Sequence, residues 1–142
     1  MNLSALKTLM LALVGGWGCT LATQAQTFTN GNSALPSTYN SGGCVGFADL
    51  DGDSYDDLII LDQSRVLHTL YQAPNGTFTD FNLGNVSGSS QWGMCVGDFD
   101  NDGHKDVFSG GSYDGVHLMH ITAPGQGNLQ SLGNGSMFMQ AC

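Results

Sequence analysis

Asp49, Asp51, Asp53 and Asp57 occupy the first, third, fifth and ninth places of nine consecutive residues, and Asp98, Asp100, Asp102 and Asp106 repeat that spacing. Carboxylates crowded into a folded loop repel one another unless a cation lies among them, because Coulomb energy rises as separation falls. Alternate residues of a tight loop can point inward. The four side chains of each loop, with the backbone carbonyl of Tyr55 in the first and of His104 in the second, therefore offer a ring of hard oxygens, about six if the last carboxylate is bidentate. Calcium accepts such a ring with loose geometry, whereas magnesium demands a strict octahedron and zinc or copper prefer softer donors. The expected cofactor is Ca2+ in two sites, with the His104 imidazole turned away. An EF-hand opens with the same alternating aspartates but needs a glutamate at the twelfth place, where this chain has Ile60 and Ser109. Solvated Asx turns are the bland alternative, and recurrence at a fixed interval argues against them.

The elements that must position these loops follow from composition and repetition. The chain has 142 residues, a net charge of -9, 21 glycines and no glutamate, so its acidity is aspartate placed in turns. Nine of the twelve acidic residues lie in the two loops. With 41% hydrophobic and 11% charged residues, disorder and salt-bridged helices are both disfavoured. Three Lys and Arg residues are too few to displace counterions from a nucleic acid, which excludes that class of partner. Each loop is entered by a small and apolar segment, Cys44 to Ala48 or Met94 to Gly97, and left by another, Leu58 to Leu61 or Val107 to Ser109. Further on, Val66 to Pro74 parallels Val116 to Pro124, both with the alternation and β-branched content of strands. Pro74-Asn75-Gly76 then turns the chain into Thr77 to Phe81.

A period of roughly 50 residues with about four short strands in each copy is the signature of a propeller blade. The expected fold is all-β, with about two four-stranded β-propeller blades. Ser136 to Cys142 resembles the segment that enters the second loop, so a third copy begins there, and the expectation is a truncated piece of a larger propeller. The competing expectation is a unit that completes itself by association through unpaired blade edges.

The two loops and their flanking strands resemble the FG-GAP/VCBS repeats of calcium-binding β-propellers of integrin α-subunit type and of many secreted bacterial proteins. The resemblance covers about residues 40 to 142 and implies a calcium ion bound in each blade. The family loop usually reads Asp-x-Asp/Asn-Gly-Asp-Gly-x-x-Asp. Ser54 replaces its second glycine in the first loop, and Asn101 replaces its first glycine in the second. A left-handed backbone at Ser54 costs a non-glycine residue about 1 kcal/mol or more, making the second site the stronger. On this basis residues 40–88 form repeat 1, 89–136 repeat 2 and 137–142 the start of a third, with 26–39 as a lead-in strand or linker.

Residues 1–25 read as a signal peptide, with Lys7, an apolar stretch too short and glycine-broken to span a membrane, and small residues Thr23 and Ala25 before the cut. Cys19 lacks the aliphatic residue before it that a lipoprotein signal wants. The expected location is secreted, extracellular or at the cell surface. Removal of that segment leaves Cys44, Cys95 and Cys142, and strand placement favours Cys44 and Cys95 as small buried hydrophobes over a disulfide. The expected function is a non-catalytic scaffold for a protein or carbohydrate ligand, with calcium holding the blade loops and no membrane span in the mature chain. The alternative is that the blades belong to a larger polysaccharide-active lyase or hydrolase. Only Asp62, Asp80 and Asp114 lie outside the loops to serve paired-carboxylate chemistry. His117 and His120 fall on opposite faces of a strand, and Arg65 and His68 have no evident partner. Tyr39, Tyr71, Trp92 and Tyr113 are expected in the core between blades more than as sugar-stacking platforms.

Overall fold

The computed structural model describes residues 29–111 and 113–133. The chain divides into two units, Met1–Asn30 and Gly31–Cys142. Of the first, only the irregular residues Thr29 and Asn30 are described. The signal segment 1–25, the third-repeat segment 137–142, and Cys19 and Cys142 fall outside the described residues.

The described residues of the second unit are all-β apart from a 3-10 turn at Asn32–Ala34. Its eight strands are β1 Ser41–Ala48, β2 Asp57–Asp62, β3 Val66–Gln72, β4 Phe78–Asn85, β5 Gln91–Gly97, β6 Asp106–Gly111, β7 Val116–Ala123 and β8 Gln126–Ser131. They form two sheets of identical plan, ordered β1-β2-β3-β4 and β5-β6-β7-β8, every neighbouring pair antiparallel. Two four-stranded meanders in succession are propeller-like blades. No helix among the described residues is long and apolar enough to cross a membrane.

Strand β2 explains why the blades stack. Its core Leu58-Ile59-Ile60-Leu61 is buried throughout, and successive side chains leave on opposite faces. Ile59 and Leu61, with Leu67 and Tyr71 of β3, join Val107, Met119 and Ile121 of the second sheet in one hydrophobic cluster. Leu58 and Ile60, with Leu70, form a second cluster on the other face, covered by Leu35 and Tyr39 of the segment before β1 and by Phe78. Both faces of the first sheet are thus occupied. One meets the second sheet and the other meets the lead-in segment, where Tyr39 Oη donates to Asp80 Oδ2 at 2.9 Å.

The inner strands approach closely because Gly46 offers no side chain. A Cβ there would lie 3.2 Å from Met94 Cε and 3.4 Å from Val96 Cγ2, tighter than ordinary contact. The turns leaving each sheet are stapled by carboxylates. Asp62 Oδ1 accepts from the Asn40 amide at 2.6 Å, and Asp114 Oδ2 accepts from the Gly88 amide at 2.6 Å and the Ser87 hydroxyl at 2.8 Å.

Two expectations about side chains change. Cys44 is a free, buried residue as expected, but Cys95 is disulfide-bonded, so strand placement did not make it inert. Of the four aromatics expected between blades, Tyr71 is buried and stacks edge-on against Phe81. Trp92 is 55% and Tyr113 84% exposed. Trp92 alternates with the buried Gln91 and Gly93 on β5, which turns it outward, and Tyr113 sits in the β6–β7 turn beyond the sheet.

Candidate metal loops and the aspartates that anchor them

Each loop hangs between the first two strands of its blade, β1 and β2 or β5 and β6. In the first, oxygens of Asp49, Asp51 and Asp53 lie within 4.8 Å of one another, and in the second the same holds for Asp98, Asp100 and Asp102. Asp51 and Asp53 are exposed, as are Asp100 and Asp102. At that separation each like-charged pair costs on the order of 1 kcal/mol even in a water-like dielectric. The backbone offsets part of this. Asp49 accepts from the amides of Gly52 at 2.7 Å, Asp53 at 3.1 Å and Ser54 at 3.0 Å. Asp98 accepts from those of Asp102 and Gly103, both at 3.1 Å. The third aspartate of each loop takes the amide two residues on, Tyr55 to Asp53 Oδ1 and His104 to Asp102 Oδ1, both at 2.8 Å.

That curl requires a left-handed backbone at two places per loop. Gly52 and Ser54 have φ of 81° and 73°, and Asn101 and Gly103 have 61° and 93°. Each loop therefore carries one non-glycine residue at positive φ, but they are unequal, since asparagine tolerates this region better than serine.

The last aspartates behave differently from the other three. Asp57 is fully buried and Asp106 is 1% exposed. Asp57 accepts from the Leu50 amide on Oδ2 and the Gln72 amide on Oδ1, both at 2.8 Å. Asp106 accepts from Phe99 on Oδ2 and Ile121 on Oδ1, both at 3.1 Å. Each carboxylate thus ties the start of its own loop to the third strand of its blade. Neither joins the three-aspartate grouping of its loop. Burial raises the Asp57 carboxyl above the usual carboxylate range, the two amide bonds pull it back, and the nearby Asp51 and Asp53 raise it further.

In the second blade Asp106 is drawn instead into a group with Asp100 and His120, a residue absent from the sequence-based ligand set. His120 Nδ1 lies 3.1 Å from Asp100 Oδ2 and 3.7 Å from Asp106 Oδ2. The signal that could have found it is register: the residue before the Asp106-bonded Ile121 is His120, just as Tyr71 precedes the Asp57-bonded Gln72. His117 and His68 serve a turn and the lead-in side of the first sheet. His117 Nε2 bonds the Asp114 carbonyl at 2.8 Å, and His68 Nδ1 meets Asp80 Oδ1 at 2.8 Å. Arg65 donates to the Gly88 carbonyl at 3.3 Å.

The donor set fits a hard divalent cation: each loop gathers three carboxylates, and in the second the His120 imidazole also approaches one of them, Asp100. Fold and loops together define a β-propeller-type module built on paired, aspartate-laced blades. Residues 49–109, from the first loop into β6, match the family described as FG-GAP-like repeat. No curated protein and no solved structure matches the chain.

Proposed function

We propose that this chain is an exported β-propeller module, secreted or displayed at the cell surface. Two calcium ions hold its loops, and its rims bind a protein or carbohydrate ligand without catalysis. The observation that carries this reading is the one-per-blade convergence of Asp49, Asp51 and Asp53 and of Asp98, Asp100 and Asp102. Three carboxylates per loop, clustered against their own repulsion, gain from a divalent cation the relief of that repulsion. The buried Asp57 and Asp106 then act as anchors that fix the loop to the sheet before any ion arrives, which lowers the ordering cost of binding.

Modules working outside cells bind calcium at about 0.1 to 1 mM, matching the concentration there. A site holding calcium at ten times its Kd adds about 1.4 kcal/mol to folding stability by mass action. Two such sites make the fold firmer after export than before it. The exposed Trp92 and Tyr113 rings, 55% and 84% accessible, are the side chains best suited to stack on a sugar ring or a partner side chain.

The test is isothermal titration of the purified chain with CaCl2, paired with thermal melts in CaCl2 and in EDTA. Two equivalents bound in the millimolar range and a lower Tm on chelation are expected. A melt unchanged by EDTA, with no heat of binding up to several millimolar calcium, refutes the reading.

A further inference from the structure

We propose that His120, Asp100 and Asp106 form a zinc-class divalent cation site in the second blade that the first blade lacks. It rests on reading the second loop as a cation site, and adds to that loop a nitrogen ligand and with it a different metal preference.

The three donors come from three places, the loop for Asp100, the start of β6 for Asp106 and the middle of β7 for His120, and their ligand atoms lie within 4.8 Å of one another. Zinc bonds of about 2.0 to 2.2 Å at a tetrahedral angle place neighbouring donors about 3.3 to 3.6 Å apart. The separations of 3.1 and 3.7 Å from His120 Nδ1 to the two carboxylates bracket that range.

The imidazole is set for the role by its other nitrogen. Nε2 lies 3.2 Å from Gln130 Oε1 on the neighbouring strand β8, and in the neutral ring that donates from Nε2 the lone pair sits on Nδ1. Nδ1 is wholly covered and has no hydrogen-bond partner, although two carboxylate oxygens face it. In the neutral ring that lone pair faces two anions, and a cation among the three turns their mutual repulsions into attractions. Holding a ligating histidine through its second ring nitrogen is also how metal sites fix ring orientation and tautomer. Asp106 is rigid, since two backbone amides grip it, and the exposed Asp100 can close on the ion.

Imidazole with carboxylate suits zinc, while an all-oxygen ring suits calcium. The first blade has Tyr71 in the position equivalent to His120, a phenol with no nitrogen to offer. Its loop stays an oxygen-only site. The second loop cannot give Asp100 to both metals at once, so zinc and calcium compete there and nowhere else in the pair of blades.

The experiment uses the whole folded chain labelled with 15N-histidine and titrated with ZnCl2 alone, followed by NMR. A large shift of His120 Nδ1, saturating at one equivalent with the other histidines unmoved, is expected. By calorimetry His120→Gln should lower zinc affinity at least about tenfold while leaving calcium uptake by the first loop unchanged. An unmoved His120 Nδ1, or zinc heat that survives in His120→Gln, overturns the proposal and leaves the imidazole an ion-pair partner of Asp100. The NMR result stands on the unmutated chain, so it decides even if the variant fails to fold. Calcium titration separates the two readings: one equivalent of zinc on His120 with no calcium bound anywhere removes the calcium function alone, and two calcium ions with no zinc shift removes this inference alone.

Discussion

The two blades share a scaffold and differ in what they aim at their loops. In both, a buried aspartate at the ninth loop position takes one amide from the loop's second residue and one from the third strand, Leu50 and Gln72 on Asp57, Phe99 and Ile121 on Asp106. The residue just before that third-strand donor is Tyr71 in one blade and His120 in the other. Tyr71 goes into the inter-blade core against Phe81, while His120 meets the carboxylates of its loop. Equivalent register therefore fixes where a side chain starts but not what it contacts. The same face of the sheet looks toward the second blade in the first copy and away from it in the second.

The anchors provide the harshest way to break the comparison. Asp57→Ala and Asp106→Ala each strand two backbone amides in a covered environment, and unpaired buried donors cost about 1 to 3 kcal/mol apiece. Losses of roughly 2 to 5 kcal/mol are expected in urea unfolding of the metal-free chain. Equal losses would show the anchors to be interchangeable, whereas a smaller loss at Asp106 would show that His120 shares its work.

Crowding the seam comes next. Gly46→Val must displace Met94 and Val96, which a Cβ alone already meets at 3.2 and 3.4 Å. Overpacking of this kind costs about 1 to 3 kcal/mol. The expected Tm drop should persist in saturating calcium, since the clash is steric.

The loops themselves can be equalised. Ser54 at φ 73° is the worse of the two non-glycine residues in a left-handed conformation. Ser54→Gly is expected to relieve about 1 kcal/mol and raise calcium affinity of the first loop several-fold. Asn101→Gly should do less, and calorimetry on each variant separates them.

The lead-in clasp is expected to matter about as much. Burial, and then the hydrogen bond and charge of Asp80, push the Tyr39 phenol up to about 12. A folded value above the unfolded one means this contribution is complete below about pH 10 and is lost as pH rises through 12. Tyr39→Phe should cost about 1 kcal/mol at neutral pH. In an alkaline absorbance titration it should remove one of the late-ionising phenols. Tyr71, raised to about 12 by burial, should remain.

The smallest effect is expected at Asp114. The Ser87 hydroxyl first, then the Gly88 amide, hold its carboxyl below the usual range. A depressed folded value contributes stability above the unfolded pKa and loses it as pH falls through the folded one. Because the side chain is 42% exposed, Asp114→Asn should cost about 0.5 kcal/mol or less and only on the neutral side of that transition. Melts between pH 3 and 7 would reveal it.

Much of this was legible in the chain itself. The alternating aspartates and their repetition gave the two loops, and the apolar runs of Leu58 to Leu61 and Val107 to Ser109 gave the strands that leave them. Period two and strong turn residues are local signals, and antiparallel meanders are built from local pairings. The anchoring role of Asp57 and Asp106 was not legible, because their amide partners Gln72 and Ile121 lie fifteen residues away on another strand. The outward Trp92 and the disulfide at Cys95 escaped for a similar reason: strand alternation tells that a residue faces one side, not whether anything stands there.

By itself, then, the sequence determined that oxygen-rich loops recur between strands, since ligand spacing and hydrophobic alternation are properties of neighbours along the chain. Tertiary structure alone decided that the ninth aspartate is buried and gripped by two amides, and that the His120 imidazole faces carboxylates of the second loop. Those outcomes depend on which strand pairs with which and in what register, and a single residue's slip would send every one of these side chains to the opposite face.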